Sequence, residues 1–179
     1  MKIGFCGTIS VGKTTLVNAL KELPEFADYH FATERSKYLR DLGIPLNTDS
    51  TLKGQLIFLA ERASELLHEN MITDRTVIDV MAFSHLSITI PFFISADLNK
   101  AVSELIRDYD YIFYVSPEGV ELEDNGVRVV DSEYRMELDK TIKNLLEQHK
   151  FKFNTITGYS ELSGTTEERI QKIKQVMSL

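Results

Sequence analysis

The segment Gly7-Thr8-Ile9-Ser10-Val11-Gly12-Lys13-Thr14 fits G-x-x-x-x-G-K-[ST] without a gap, and Thr15 follows it. Lys2 to Cys6 before it reads as a short buried strand. Leu16, Val17, Ala19 and Leu20 after it begin an apolar helical face. The spacing has a physical reason. Successive backbone N–H groups must curl inward around a polyphosphate, and Gly7 and Gly12 permit that curl without a Cβ clash. The helix that starts inside the motif adds the positive end of its dipole. Lys13 is placed for the β and γ phosphates and the Thr14 hydroxyl for Mg²⁺. The chain is therefore expected to bind a nucleoside triphosphate, and the motif is silent on the fate of the bound nucleotide.

The rest of the chain bounds the answer. Its 179 residues suit one domain, read as 1–179, with an ordinary globular balance of apolar and charged residues. A net charge of −7 argues against a surface built to hold duplex nucleic acid. The one cysteine, Cys6, excludes a disulfide framework and a Cys-based metal site. The N-terminus runs straight into the first strand, and Val80 to Ala96 is too interrupted by polar residues and Pro91 to span a membrane. A cytoplasmic protein is expected. The spread of aromatic residues is compatible with a homodimer.

In chain order, the pattern predicts a helix over 12–21, a strand over 29–33 and a helix over 34–42 ending at Gly43. A long helix carries Leu56, Leu59, Ala60, Ala63, Leu66 and Leu67 on one face and closes at Asn70. A strand over 71–73 delivers Asp74-Arg75, and a helix covers 78–86. The next helix is lined by Leu98 to Ile106 and capped by Ser95 or Asp97. A strand over 109–115 leads to a polar, acidic loop over 118–131, and Leu138 to Leu146 mark another helix. A fifth strand over 151–156 precedes a closing helix lined by Ile170, Ile173 and Met177. Alternating strands and helices imply an α/β fold with a parallel sheet covered on both faces, its ligands at the carboxyl ends of the strands.

The absence of D-x-x-G and of an N-K-x-D segment argues against a GTPase. The informative segment is Asp74-Arg75-Thr76-Val77-Ile78-Asp79. A carboxylate at a strand tip beside the phosphate loop can hold a Mg²⁺-bound water or take a proton from an acceptor. The adjacent arginine can stabilise a phosphoryl group in transfer.

With these residues together, the chain resembles the P-loop nucleoside and nucleotide kinases, nearest in pattern to nicotinamide-riboside-kinase-type P-loop (AAA) domains and thymidylate and deoxynucleoside kinases. The resemblance covers nearly the whole chain. It implies a three-layer P-loop kinase fold with a five-stranded parallel core and a short lid, and ATP with Mg²⁺ as cofactors. Within it, residues 7–15 hold the triphosphate, Thr14 and Asp74 serve the metal, and Lys13, Asp74 and Arg75 act in transfer. Glu34 falls where such kinases place an acidic acceptor contact or general base. The arginine that often stands three residues later is here Lys37, with Arg35 adjacent to the Glu. Gln55 falls where a side-chain amide can read a ring edge. Tyr38, with Tyr29, Phe31, Phe58 and Phe83, is of a type that walls a pocket by stacking, and Asp79 joins the acceptor residues. The lid motif Asp-Gly-x-Arg is represented by Asp124-Asn125-Gly126-Val127-Arg128, Asn125 standing for Asp; Arg128, with Arg135 behind it, would close over the phosphates.

The expected activity is phosphoryl transfer to a small acceptor, a nucleoside or nucleoside monophosphate, with a lean toward deoxynucleotides. A hydroxyl acceptor suits Glu34, and a phosphate acceptor suits Arg35 or Lys37. The alternatives are a kinase acting on a modified base in DNA, against which the acidic balance counts, and a nucleotide-binding regulatory module or slow ATPase.

Overall fold

The computed structural model describes residues 1–33, 36–120, 131–152 and 158–179. Among these, five strands are β1 (Lys2–Cys6), β2 (His30–Ala32), β3 (Met71–Asp74), β4 (Tyr111–Val115) and β5 (Ser160–Leu162). They form one parallel sheet in the order β2-β3-β1-β4-β5. The described α-helices are α1 (Lys13–Lys21), α2 (Ser36–Asp41), α3 (Leu52–Glu65), α4 (Val77–His85), α5 (Phe92–Val102), α6 (Ser132–His149) and α7 (Thr166–Met177), with short 3₁₀ turns between elements. The expected three-layer P-loop kinase architecture, with its five-stranded parallel sheet, is the one observed.

Side-chain alternation along the strands divides the core. Ile3, Phe5, Ile72, Phe113 and Val115 face α1 and α7, packing on Leu16, Val17, Leu20, Ile173 and Met177. Cys6, Met71, Ile112 and Tyr114 face the other way, against residues of α4, α5 and α6. A smaller cluster of Leu39, Phe58 and Val80 joins α2, α3 and α4. The sheet is thus buried on both faces, as parallel sheets require.

Four expected elements are corrected. The fifth strand is Ser160–Leu162, not 151–156: Phe151 is 90% exposed, residues 150–152 form a short 3₁₀ turn, and 153–157 lie outside the described residues. A three-residue edge strand that buries only Leu162 leaves little apolar pattern to read. The strand after α5 starts at Tyr111, because 103–108 continue as a 3₁₀ helix. Helix α5 begins at Phe92, six residues before its expected first apolar contact and behind Pro91, whose carbonyl accepts from the Ile94 and Ser95 amides; Ser95 is buried inside the helix. In α3 the buried face is Gly54, Gln55, Phe58 and Arg62; of the expected stripe, Leu59 and Leu66 do pack on the core, while Leu56 is 46% and Leu67 85% exposed. The helix is rotated from the apolar stripe because the face it buries borders a polar cleft. It also ends at Glu65 rather than Asn70.

Gly4, in the central strand, is closed in by its neighbours. A Cβ there would stand 2.5 Å from the Thr76 methyl and 2.8 Å from the Tyr109 ring. Tyr109 is itself buried and has no room to retreat. We predict that Gly4→Ala lowers stability by about 1–3 kcal/mol through overpacking. In urea the midpoint should fall at an unchanged slope.

Candidate active site

The loop after β1 and the tip of β3 meet at the carboxyl edge of the sheet, where the register sets Phe5 beside Asp74. The loop takes the conformation its sequence demands. Gly7, Ser10 and Gly12 have φ of 150°, 54° and 81°, the positive values that turn consecutive N–H groups to one side. At Gly7 a Cβ would lie 2.6 Å from the Val115 carbonyl, so β4 leaves no space for any other residue. The Lys13 ammonium, 5% exposed, donates to the Gly7 and Thr8 carbonyls at 2.7 and 2.8 Å. The outer side of the loop is held by two arginines. Arg135 of α6 donates to Ser10 O at 3.2 Å, and Arg169 of α7 donates to Val11 O at 2.7 Å. Thr8 Oγ1 donates back to Arg135 O at 2.9 Å. Ile9 and Val11 anchor the loop in the core, whereas Thr14 and Thr15 are exposed.

The Thr14 hydroxyl donates to Asp74 Oδ2, joining loop and strand tip. Asp74 does not cap α4. That role falls to Thr76, whose Oγ1 accepts from the Ile78 amide at 3.1 Å, while Asp79 Oδ2 accepts from the Thr76 amide at 2.7 Å, a reciprocal capping box. Asp74 is 1% exposed, and its Oδ1 has no hydrogen-bond partner among the described residues. A buried carboxylate oxygen left over beside a threonine hydroxyl fits a hard cation that keeps most of its own water, the manner of Mg²⁺. No cluster of three or more His, Cys, Asp or Glu occurs among the described residues, so that cation would rest on this pair and on the phosphates.

Arg75 comes next with φ of 101°, a conformation costing a non-glycine residue about 1–3 kcal/mol. Its amide donates to Phe5 O at 3.0 Å. Its guanidinium lies 4.7 Å above the Phe83 ring centroid, a cation–π contact in a mostly buried place. Arg75 and Phe83 belong to a cleft that also takes in Gln55, Phe58, Arg62, Asp79 and Val80, with Ser36, Leu46 and Asn47 at α2 and the following turn. Asp79 Oδ1 approaches the Gly7 amide at 3.4 Å, so the cleft adjoins the phosphate loop directly. Burial pushes the Asp79 carboxyl above its usual range, opposed by the charges of Lys13 and Arg75 and by the Thr76 hydrogen bonds.

Lys13, Thr14, Asp74, Arg75, Asp79 and Gln55 are therefore brought together at one edge. Tyr38 is 51% exposed and does not line the cleft. Glu34, Arg35 and Arg128, with the rest of Asp124 to Arg128, lie outside the described residues. The sequence reading missed Arg62, 2% exposed, and Arg169. A signal for Arg62 existed: Gln55, Phe58 and Arg62 recur at i, i+3, i+7, a helical face hidden by its mixed polarity.

Comparison with known proteins gives a family and a fold. The model of a family described as AAA domain matches residues 2–169. No curated protein sequence matches the chain. Among solved structures, deoxyadenosine kinase from M. mycoides with dCMP and dCDP is similar at TM-score 0.68 and 19% identity, over 99% of this chain and 98% of that one. NadR protein in complex with NAD and AMP-PNP is similar at TM-score 0.72 and 15% identity, but this chain covers only 49% of it. Thymidylate kinase from Candida albicans reaches TM-score 0.65 at 12% identity, over 98% and 90% of the two chains. At these identities the likeness establishes the P-loop nucleoside and nucleotide kinase fold.

The elevated Asp79 carboxyl has a consequence for stability. Below its ordinary range the group is protonated in both states and costs nothing. As pH rises toward the higher folded-state value, the unfolded chain releases its proton first, so stability falls across that interval. Asp79→Asn keeps an oxygen for the Thr76 cap and removes the titration. The stability difference, variant minus wild type, should rise with pH from the low end of the carboxylate range and level off above the folded-state value. Denaturant titrations across that range measure it.

Proposed function

The chain belongs to the AAA domain family, and from that membership and the cleft beside the phosphate loop we propose that it is an ATP- and Mg²⁺-dependent phosphotransferase. The acceptor is a small nucleoside or nucleoside monophosphate, deoxynucleotides being favoured. The observation that carries the reading is the sharing of Asp79 and Arg75 between the two regions: a cleft walled by Phe58 and Phe83, with the buried Gln55 amide and a buried guanidinium, opens directly beside the triphosphate loop. A switch that merely hydrolyses its nucleotide has no use for such a cleft.

Each group then has a role. Residues 7–15 cradle the phosphates with backbone N–H groups, and Lys13 exchanges its carbonyl contacts for phosphate oxygens. Thr14 and Asp74 would hold Mg²⁺, which supplies charge neutralisation on the phosphates. Phe58 and Phe83 offer flat apolar walls to a base, and Gln55 offers one donor and one acceptor to its edge. Arg75 places a fixed planar cation where the transferring group or an acceptor phosphate passes. Glu34, Arg35 and Arg128 keep the roles the resemblance gives them, an acceptor contact and closure over the phosphates.

ADP release from the purified protein, measured against nucleosides, monophosphates, nicotinamide riboside and single-stranded DNA, tests this. Stimulation by one small acceptor is expected, while slow basal hydrolysis with no stimulation overturns the reading. Lys13→Ala should cut turnover by about 100-fold or more. Gln55→Leu should raise the acceptor KM by roughly tenfold with ATP binding unchanged. Arg128→Ala should reduce kcat more than ATP affinity; full rate would remove the loop from the mechanism.

A further inference from the structure

A hydrogen-bonded cluster behind the site has no part in these roles. Arg62 of α3, although it borders the cleft, turns its Nη1 to main chain and donates to the Asp74 and Arg75 carbonyls at 3.4 Å each. Its Nη2 pairs with Glu65 Oε1 at 2.5 Å. Thr73 Oγ1 stands 3.0 Å from both Glu65 Oε2 and Arg75 O, so its single hydrogen is shared between them. The ring closes through α3, β3 and the two peptides that flank the Arg75 Cα.

We propose that Arg62, Glu65 and Thr73 are positioning residues that lock the backbone of Asp74 and Arg75, and so aim the carboxylate at Thr14 and the guanidinium across Phe83.

The argument starts from φ at Arg75. A non-glycine residue at 101° relaxes unless its surroundings over-determine it. On the sheet side it is fixed by its amide bond to Phe5 O. On the far side the chain leaves the strand after Asp74, and there the Asp74 and Arg75 carbonyls meet Arg62 Nη1. Buried carbonyls need donors, and Arg62 with Thr73 supplies them. An arginine and a carboxylate are a costly way to fill that space, since both lose water and an apolar pair would pack as well. The planar guanidinium does what apolar groups cannot: the two hydrogens of Nη1 reach two successive peptide planes while Nη2 is held by Glu65. Because a side chain leaves Cα in a direction set by those planes, fixing both carbonyls fixes where Asp74 and Arg75 point. Glu65 is itself pushed upward by burial, with Arg62 and Thr73 opposing, as expected of a carboxyl kept for its contacts.

The proposal rests on the phosphotransfer reading, and its test separates the two. Thr73→Val keeps the shape and removes the hydroxyl; Thr73→Ser restores it. In the acceptor-stimulated assay Thr73→Val should lower kcat by about 10- to 100-fold, with KM for ATP and acceptor within about threefold, the signature of misaimed groups. Thr73→Ser should recover to within about threefold of wild type. A wild-type kcat in Thr73→Val, or equal losses in Val and Ser, overturns the proposal. Where Thr73→Val fails to fold, Glu65→Gln should give the same split between kcat and KM, and an unchanged kcat there overturns the proposal. Hydrogen exchange without nucleotide gives the second readout: amides of 74–76 should exchange faster in Thr73→Val, and unchanged protection counts against the lock. If the wild type phosphorylates nothing while exchange still accelerates, the lock stands and the proposed activity falls.

Discussion

The hydrogen bond from Thr14 to Asp74 joins two segments 60 residues apart, and the rest of the site is arranged around it. It exists because β1 and β3 are adjacent and parallel, so that both chains leave the sheet at the same edge. Once β1 ends, the chain must turn sharply under β4, which Gly7 alone permits. Once β3 ends, Arg75 takes a positive φ of 101°, with hydrogen bonds at its amide and at its carbonyl. The site is thus a product of two strand ends, each leaving the sheet in an unusual conformation.

The two halves of that site were unequally legible. The phosphate loop could be read because its requirements are local: glycines at a fixed interval, then a lysine and a hydroxyl, all within eight residues. Asp74-Arg75 was legible from the strand before it. The cleft was not. Its walls come from α2, α3 and α4, and the face α3 turns inward carries Gln55 and Arg62, whereas periodicity selects a stripe in which Leu66 and Leu59 do pack on the core but Leu56 and Leu67 are exposed. Hydrophobic pattern locates a core and misplaces a polar cavity, since there the buried residues are the polar ones. The edge of the sheet failed for a related reason: β5 needs only three backbone pairings to β4 and one buried leucine, too little to outweigh the aromatic stretch at 151–153.

The fold is shared with proteins that handle different acceptors at 12–19% identity. In this chain a buried arginine on α3, with its carboxylate partner, reaches the carbonyls that flank Arg75, whose φ is 101°. Arg135 and Arg169 do the corresponding thing for the loop, gripping it from α6 and α7. The phosphate loop and the tip of β3 are each contacted from outside by guanidinium groups on packed helices.

Cys6 lies in the central strand, one residue before the loop, fully buried. Burial raises its thiol well above the ordinary range, and the chain has no other cysteine. In the closed molecule it is therefore shielded from alkylating reagents, which only a thiolate attacks. Any labelling that occurs reports an opening deep enough to part β1 from its flanking helices. The protein carries its own clock for breathing of the sheet at the point where nucleotide would be held.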